Sequence, residues 1–159
     1  MRPFRIGDQI RIKEFEGIVE EISVRATKIT TLDGERVVVP NADLYMNAVL
    51  VRTAFESRRS SVTVGIGYGD DHERARGILL DVVRNTEGIL EEPAPAVRLT
   101  ELADSSVNLV LLFWTNSDQS SANGAKHKVI AGTKTALDEA GIDMPFPQRV
   151  VELKGEAAG

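Results

Sequence analysis

The chain has 159 residues, 42% hydrophobic and 27% charged, with a net charge of −5. That suits one ordinary domain or two small ones, and argues against disorder and against a wholly basic nucleic-acid binder. There is no cysteine, and the only histidines are His72 and His127, which removes disulfide scaffolds, thiolate zinc sites, cysteine nucleophiles and any histidine-rich metal centre.

The first third reads as short strands. Residues 9–13 alternate, with Ile10 and Ile12 on one face. Glu16-Gly17 is a turn signal, after which residues 18–22 resume the β pattern, and residues 26–32 are β-branched and alternating. Asp33-Gly34 predicts a type I′ hairpin turn. Residues 36–39 form the return strand, which Pro40-Asn41 ends, and Leu50-Val51 belong to a fifth strand. Five short strands in so few residues predict a small bent sheet or barrel. Residues 54–61 read as a linker between this unit and the next. Charge changes across it, from +1 over residues 1–60 to −6 over residues 61–159.

The second unit mixes strand and helix. Residues 61–68 alternate as a strand. Asp70 and Asp71 then start a helix that extends to about Gly88, with Ala75, Ile78, Leu79, Val82 and Val83 on its core face. Residues 97–102 and 107–115 are two further strands, the second apolar on both faces and therefore central. Its apolar run, residues 109–114, is the longest in the chain at six residues, against the roughly 20 that a membrane-spanning helix needs. Residues 123–140 form a second helix with Val129, Ile130, Thr133 and Leu137 inward and Gly141 closing it. Pro145 and Pro147 precede a last strand around residues 149–153. The order βαββα with a proline-separated strand resembles a ferredoxin-like α+β layer.

No residues assemble into a reaction centre. Gly65, Gly67 and Gly69 lie between a strand and a helix, but their spacing matches no phosphate loop, and Asp70 and Asp71 would repel a phosphate there. The run Asp70, Asp71, His72, Glu73 is accounted for by a helix start. His127 lies between two lysines on a solvated face, and Ser105-Ser106 and Ser120-Ser121 have no histidine nearby in sequence. The chain is thus read as no enzyme, with no cofactor and no metal.

Several motifs occur in order along nearly the whole chain. The first is Pro3-Phe4-Arg5-Ile6-Gly7-Asp8 with Ile10, followed by Gly17, Val19, Ile22 and Thr27. Next come Asp33-Gly34, Val37-Val38-Val39-Pro40-Asn41 and Asn47, then Val64-Gly65 with Tyr68 and Asp70. Val97-Arg98-Leu99 with Glu101-Leu102, Ser105-Ser106, Asn108, Trp114 and Asn116-Ser117 follow. Ala140-Gly141-Ile142 and Pro145-Phe146-Pro147-Gln148 complete the set. Together they resemble the cytoplasmic region of the small-conductance mechanosensitive channel (MscS-type) family.

The resemblance implies a mixed fold. It comprises an Sm-like β domain over residues 1–53, a linker over 54–61, a ferredoxin-like α/β domain over 62–144, and a C-terminal strand and tail over 145–159. Pro3, Phe4, Gly7 and Asp8 would mark the pore-proximal start of the β domain. Pro147, Gln148, Val150, Val151, Glu152 and Leu153 would supply the strand of a small parallel barrel shared between subunits, the prolines blocking pairing within their own sheet. An ordinary sixth strand is the alternative. Family members are homo-oligomers of seven subunits in the cell (inner) membrane, and they release ions and small solutes on hypo-osmotic shock. Membrane helices precede this segment in the family. Here only Met1 and Arg2 do, so the expectation is a cytoplasmic part without its transmembrane pore. A stand-alone oligomeric module whose Sm-like part binds RNA or a partner protein is the other reading. The single aromatics Phe4, Phe15, Tyr45 and Phe55, in a nearly neutral setting, argue against nucleic acid.

Overall fold

The computed structural model describes residues 3–145. The first half contains β1 (Gln9–Ile12), β2 (Phe15–Ile22), β3 (Ala26–Thr31), β4 (Arg36–Pro40), the short helix α1 (Asn41–Met46) and β5 (Leu50–Val51). Its strands form one antiparallel sheet in the order β4-β3-β2-β1-β5. Of the two forms expected, the open bent sheet is the one observed. Ile10, Ile12, Val19, Ile29, Val39 and Phe4 make the core, following the two-residue alternation of their strands. The register slips between Val19 and Glu21 against β3, a bulge that bends β2 over this core.

Three details differ from the sequence reading. Glu16-Gly17 is no turn: the chain reverses at Lys13-Glu14, between paired Ile12 and Phe15, with Lys13 at φ 52°. Gly17 instead sits inside β2, opposite Ile10 on one side and Thr31 on the other. A Cβ there would lie 2.3 Å from the Thr30 carbonyl oxygen, so the glycine serves close backbone approach. At Asp33-Gly34 only Gly34 has positive φ. Its N–H donates to the Thr31 carbonyl and the Thr31 N–H to that of Glu35, so the loop is a turn followed by a left-handed glycine, where a type I′ turn would need two positive φ values. Finally, Pro40-Asn41 ends β4 by starting α1, a helix the sequence reading lacks.

The second half contains β6 (Ser57–Ile66), α2 (His72–Asn85), β7 (Ala96–Leu102), β8 (Val107–Asn116) and α3 (Gln119–Glu139). The sheet order β6-β8-β7 puts the apolar β8 at the centre, as its sequence predicts. Leu109, Leu111 and Phe113 are fully buried against α2 and α3, while Val110, Leu112 and Trp114 on the other face are half-buried. The Asp71 carboxylate accepts from the Glu73 and Arg74 N–H groups and starts α2. Asp118 accepts from the Ser121 N–H, so α3 starts at Gln119, ahead of the expected residue 123. Gly141, at φ 70°, follows α3, and the Ile142 N–H returns to the Leu137 carbonyl, the closing bond of a glycine-terminated helix. The βαββα order is as expected.

The segment expected as a linker is partly strand. Ser57 through Ser61 pair with Asn116 through Leu112 of β8, because β8 is long enough to give this polar stretch a full ladder. Backbone bonds hold its two flanks. The Arg52 N–H donates to the Gln9 carbonyl and the Ala54 N–H to that of Val51, while the Ser117 N–H donates to the Glu56 carbonyl.

Candidate functional site

The residues 3–8 motif forms a fastened corner. Gly7 has φ 95°, a conformation in which a side chain would be strained. Its N–H donates to the Val19 carbonyl, and the Val19 N–H donates to that of Asp8. The Asp8 carboxylate accepts from the Arg5 N–H at 2.8 Å and from the Thr53 hydroxyl at 2.6 Å. Phe4 is buried in the β core, while Pro3 is exposed. The corner therefore fixes the direction from which the chain enters the β sheet. Pro147, Gln148, Val150, Val151, Glu152 and Leu153, the expected inter-subunit strand, lie outside the described residues.

Between the two halves lies a polar cluster that the sequence reading missed. Arg52 grips Glu16 with two bonds, Nε to Oε2 and Nη2 to Oε1, both 2.9 Å. Gln9 Nε2 donates to the same carboxylate at 2.7 Å, and Arg58 Nη1 crosses from β6 to Gln9 Oε1 at 3.3 Å. Hydrogen bonding from Arg52 holds the Glu16 carboxyl below its ordinary range against an opposing desolvation, helped by the Arg52 charge and the Gln9 amide. Burial and the neighbouring Arg52 charge lower the pKa of Arg58. No short sequence pattern links Glu16 to Arg52, 36 residues apart. The one available signal is the Arg58-Arg59 pair, which lies in the stretch read as a linker.

The sign of the Glu16 effect predicts a pH dependence. Its folded-state pKa is depressed, so its stabilisation is complete above the unfolded-state pKa and is lost as pH falls through the folded value. Glu16→Gln should therefore be less stable than wild type at pH 7, with the gap closing in acid. Urea midpoints across this range check it; a gap that stays constant to the acid limit would show that the charge plays no part.

The other segments weighed in the sequence reading serve local structure. The Gly67 carbonyl accepts from the Asp70 N–H in the turn before α2, and the Tyr68 hydroxyl donates to the Ala103 carbonyl. The Ser106 hydroxyl donates to Asn108 Oδ1. His127 is exposed on α3. Among the described residues, no group of three or more metal-ligating side chains converges, and no helix is long and apolar enough to cross a membrane.

Comparison with known proteins agrees with this architecture. Residues 1–50 match the family profile described as the mechanosensitive ion channel β-domain, and residues 61–144 that of the C-terminal part of the mechanosensitive channel MscS. An uncharacterised MscS family protein of Archaeoglobus fulgidus is 36% identical over 98% of this chain and 54% of its own length. A small-conductance mechanosensitive channel of Edwardsiella ictaluri is 32% identical over 96% of this chain and 52% of its own. The chain thus spans about half the length of these curated relatives. The closed-state crystal structure of Helicobacter pylori MscS superimposes with a TM-score of 0.84 at 28% identity, covering 97% of this chain and 60% of that one. With its β half and its α/β half matched in order, the chain belongs to the MscS family of mechanosensitive ion channels.

Proposed function

We propose that this chain is the cytoplasmic vestibule region of a membrane channel that opens under tension and releases ions and small solutes on hypo-osmotic shock. It acts there as a structural and assembly element. The observation that carries the reading is the consecutive match of both family profiles, over residues 1–50 and 61–144. On this reading Pro3, Phe4, Gly7 and Asp8 are the corner at which the pore-forming part would join the β sheet. Its bonds to Arg5, Val19 and Thr53 give that junction a fixed geometry. Pro147, Gln148, Val150, Val151, Glu152 and Leu153 supply the shared barrel at the base. The −6 balance of residues 61–159 enriches cations inside the vestibule.

Homo-oligomerisation, sevenfold in this proposal, is favoured by the open sheet of the first half. Its edge strands β4 and β5 have no further partner among the described residues. Each carries an exposed apolar side chain, Val38 and Leu50, with exposed Tyr45 and Met46 on the helix between them. Unpaired edges of this kind recruit other chains. Light scattering on a sizing column, at several concentrations, should give a mass near seven times that of the chain. Val38→Lys and Leu50→Lys should lower it. A monomer at every concentration would overturn the proposal that these edges build the ring.

A further inference from the structure

We propose that the cavity between the two halves binds a small phosphate-bearing anion, held by Arg58 of β6 and Lys126 of α3 with the carboxamides of Gln119 and Asn123. The cavity measures about 390 Å³ and is lined by these residues, by Glu16 and Arg52, and by the adjoining part of β6. That lies in the size range of small-ligand pockets. Gln119, Asn123 and Lys126 recur at helical spacing, so they share one face of α3.

The charge of this cavity runs against that of the chain. The whole sequence is at −5, yet Arg52, Arg58, Arg59 and Lys126 line the cavity against the single carboxylate of Glu16. That carboxylate is already committed, since it accepts both Arg52 bonds and the Gln9 amide. The other acid whose charge bears on Arg58 is Asp118, whose carboxylate accepts the Ser121 N–H. Among the described residues Arg58, Arg59 and Lys126 make no ion pair.

Arg58 carries the argument furthest. Among the described residues its Nε is buried without a hydrogen-bond partner, and its one side-chain hydrogen bond is the 3.3 Å bond to Gln9. A half-buried guanidinium beside a second arginine, with a donor left unmade, is a costly arrangement. An anion in the cavity offsets the like charge of the two arginines. Guanidinium, ammonium and carboxamide groups all donate, which suits the several acceptor oxygens of a phosphate.

Calorimetric titration of the full 159-residue chain tests the proposal, with inorganic phosphate and adenosine monophosphate as the probes at constant ionic strength. Saturable binding of one anion per chain is expected. Arg58→Gln should weaken it about tenfold or more, the loss of one charge-assisted bond, and Lys126→Gln severalfold. Lys134→Gln, farther along α3 where Lys134 pairs with Asp138, should leave it unchanged. Equal affinity for the two probes assigns the site to free phosphate, and tighter binding of the nucleotide assigns it to an ester. No saturable binding of either probe overturns the proposal, as does binding that neither cavity variant weakens. Should Arg58→Gln fail to fold, the exposed Lys126 decides the outcome alone.

Discussion

Gly17→Ala should destabilise the β half by about 3 kcal/mol or more, at the upper end of what overpacking costs. The added methyl would sit 2.3 Å from the Thr30 carbonyl oxygen, 2.5 Å from Ile29 Cγ2 and 2.7 Å from the Thr30 carbonyl carbon. Two of these are backbone atoms of the neighbouring strand, inside the β2–β3 ladder, and they cannot rotate away. Relief requires parting the ladder or flattening the bend that the bulge beyond Val19 introduces. Alanine's smaller conformational entropy loss returns only about 0.5–1 kcal/mol. Gly77→Ala is the control: Gly77 lies within α2 with open space at its Cβ position, and alanine there should add about 1 kcal/mol. Urea denaturation of both variants reads the contrast. A Gly17→Ala protein as stable as wild type would refute the close-approach argument.

The second large effect is expected at Asn41. This buried side chain accepts from the Thr27 hydroxyl at 2.8 Å and donates to the carbonyls of Ser23 and Val24 at 2.8 and 3.1 Å. Its own N–H donates to the Arg25 carbonyl. One residue thus fastens the β4–α1 corner to the β2–β3 turn. Asn41→Ala removes three side-chain bonds and leaves the buried Thr27 hydroxyl without its acceptor, which should cost about 3 kcal/mol. Thr27→Val deletes the stranded hydroxyl. The double variant should therefore be less damaged than the sum of the single ones, by about 1 kcal/mol. Asn47→Ala, where the exposed amide donates to the Asp43 carbonyl, should cost no more than about 1 kcal/mol. Strict additivity at positions 27 and 41 would mean that the two side chains do not act as a unit.

What the sequence made legible follows from the range of the forces involved. The alternation of Ile10 and Ile12, the apolar run of β8 and the aspartate at the start of α2 are local signals, and each predicted its element. The start of α3 was set four residues late, at 123, although Asp118 supplies the cap before Gln119. The start of β6 was missed for a related reason. Its polar residues, Ser57 through Ser61, are held by pairing with Asn116 through Leu112, far away in sequence, which no local pattern records. Gly17 carried a true signal with two meanings, since a glycine marks a turn or a close approach and only the neighbouring strand decides. The motif at residues 3–8 was found by resemblance, and its bonds to Val19 and Thr53 explain why those residue types belong there. The interdomain cluster has no short pattern, because Gln9, Glu16, Arg52 and Arg58 meet only once both halves have folded.

The ties that flank β6 bear on how force would cross the molecule. Arg52, Thr53 and Ala54 are bonded into the β half, while Glu56 is bonded into the α/β half. Only Phe55, an exposed side chain, stands between the two sets. Any swing of one half against the other, with these bonds intact, must be absorbed by the backbone torsions around that single residue and by stretching the Arg58–Gln9 bond. The connection is a pivot with few degrees of freedom, so the direction in which one sheet can turn against the other is set by the torsions around that one residue.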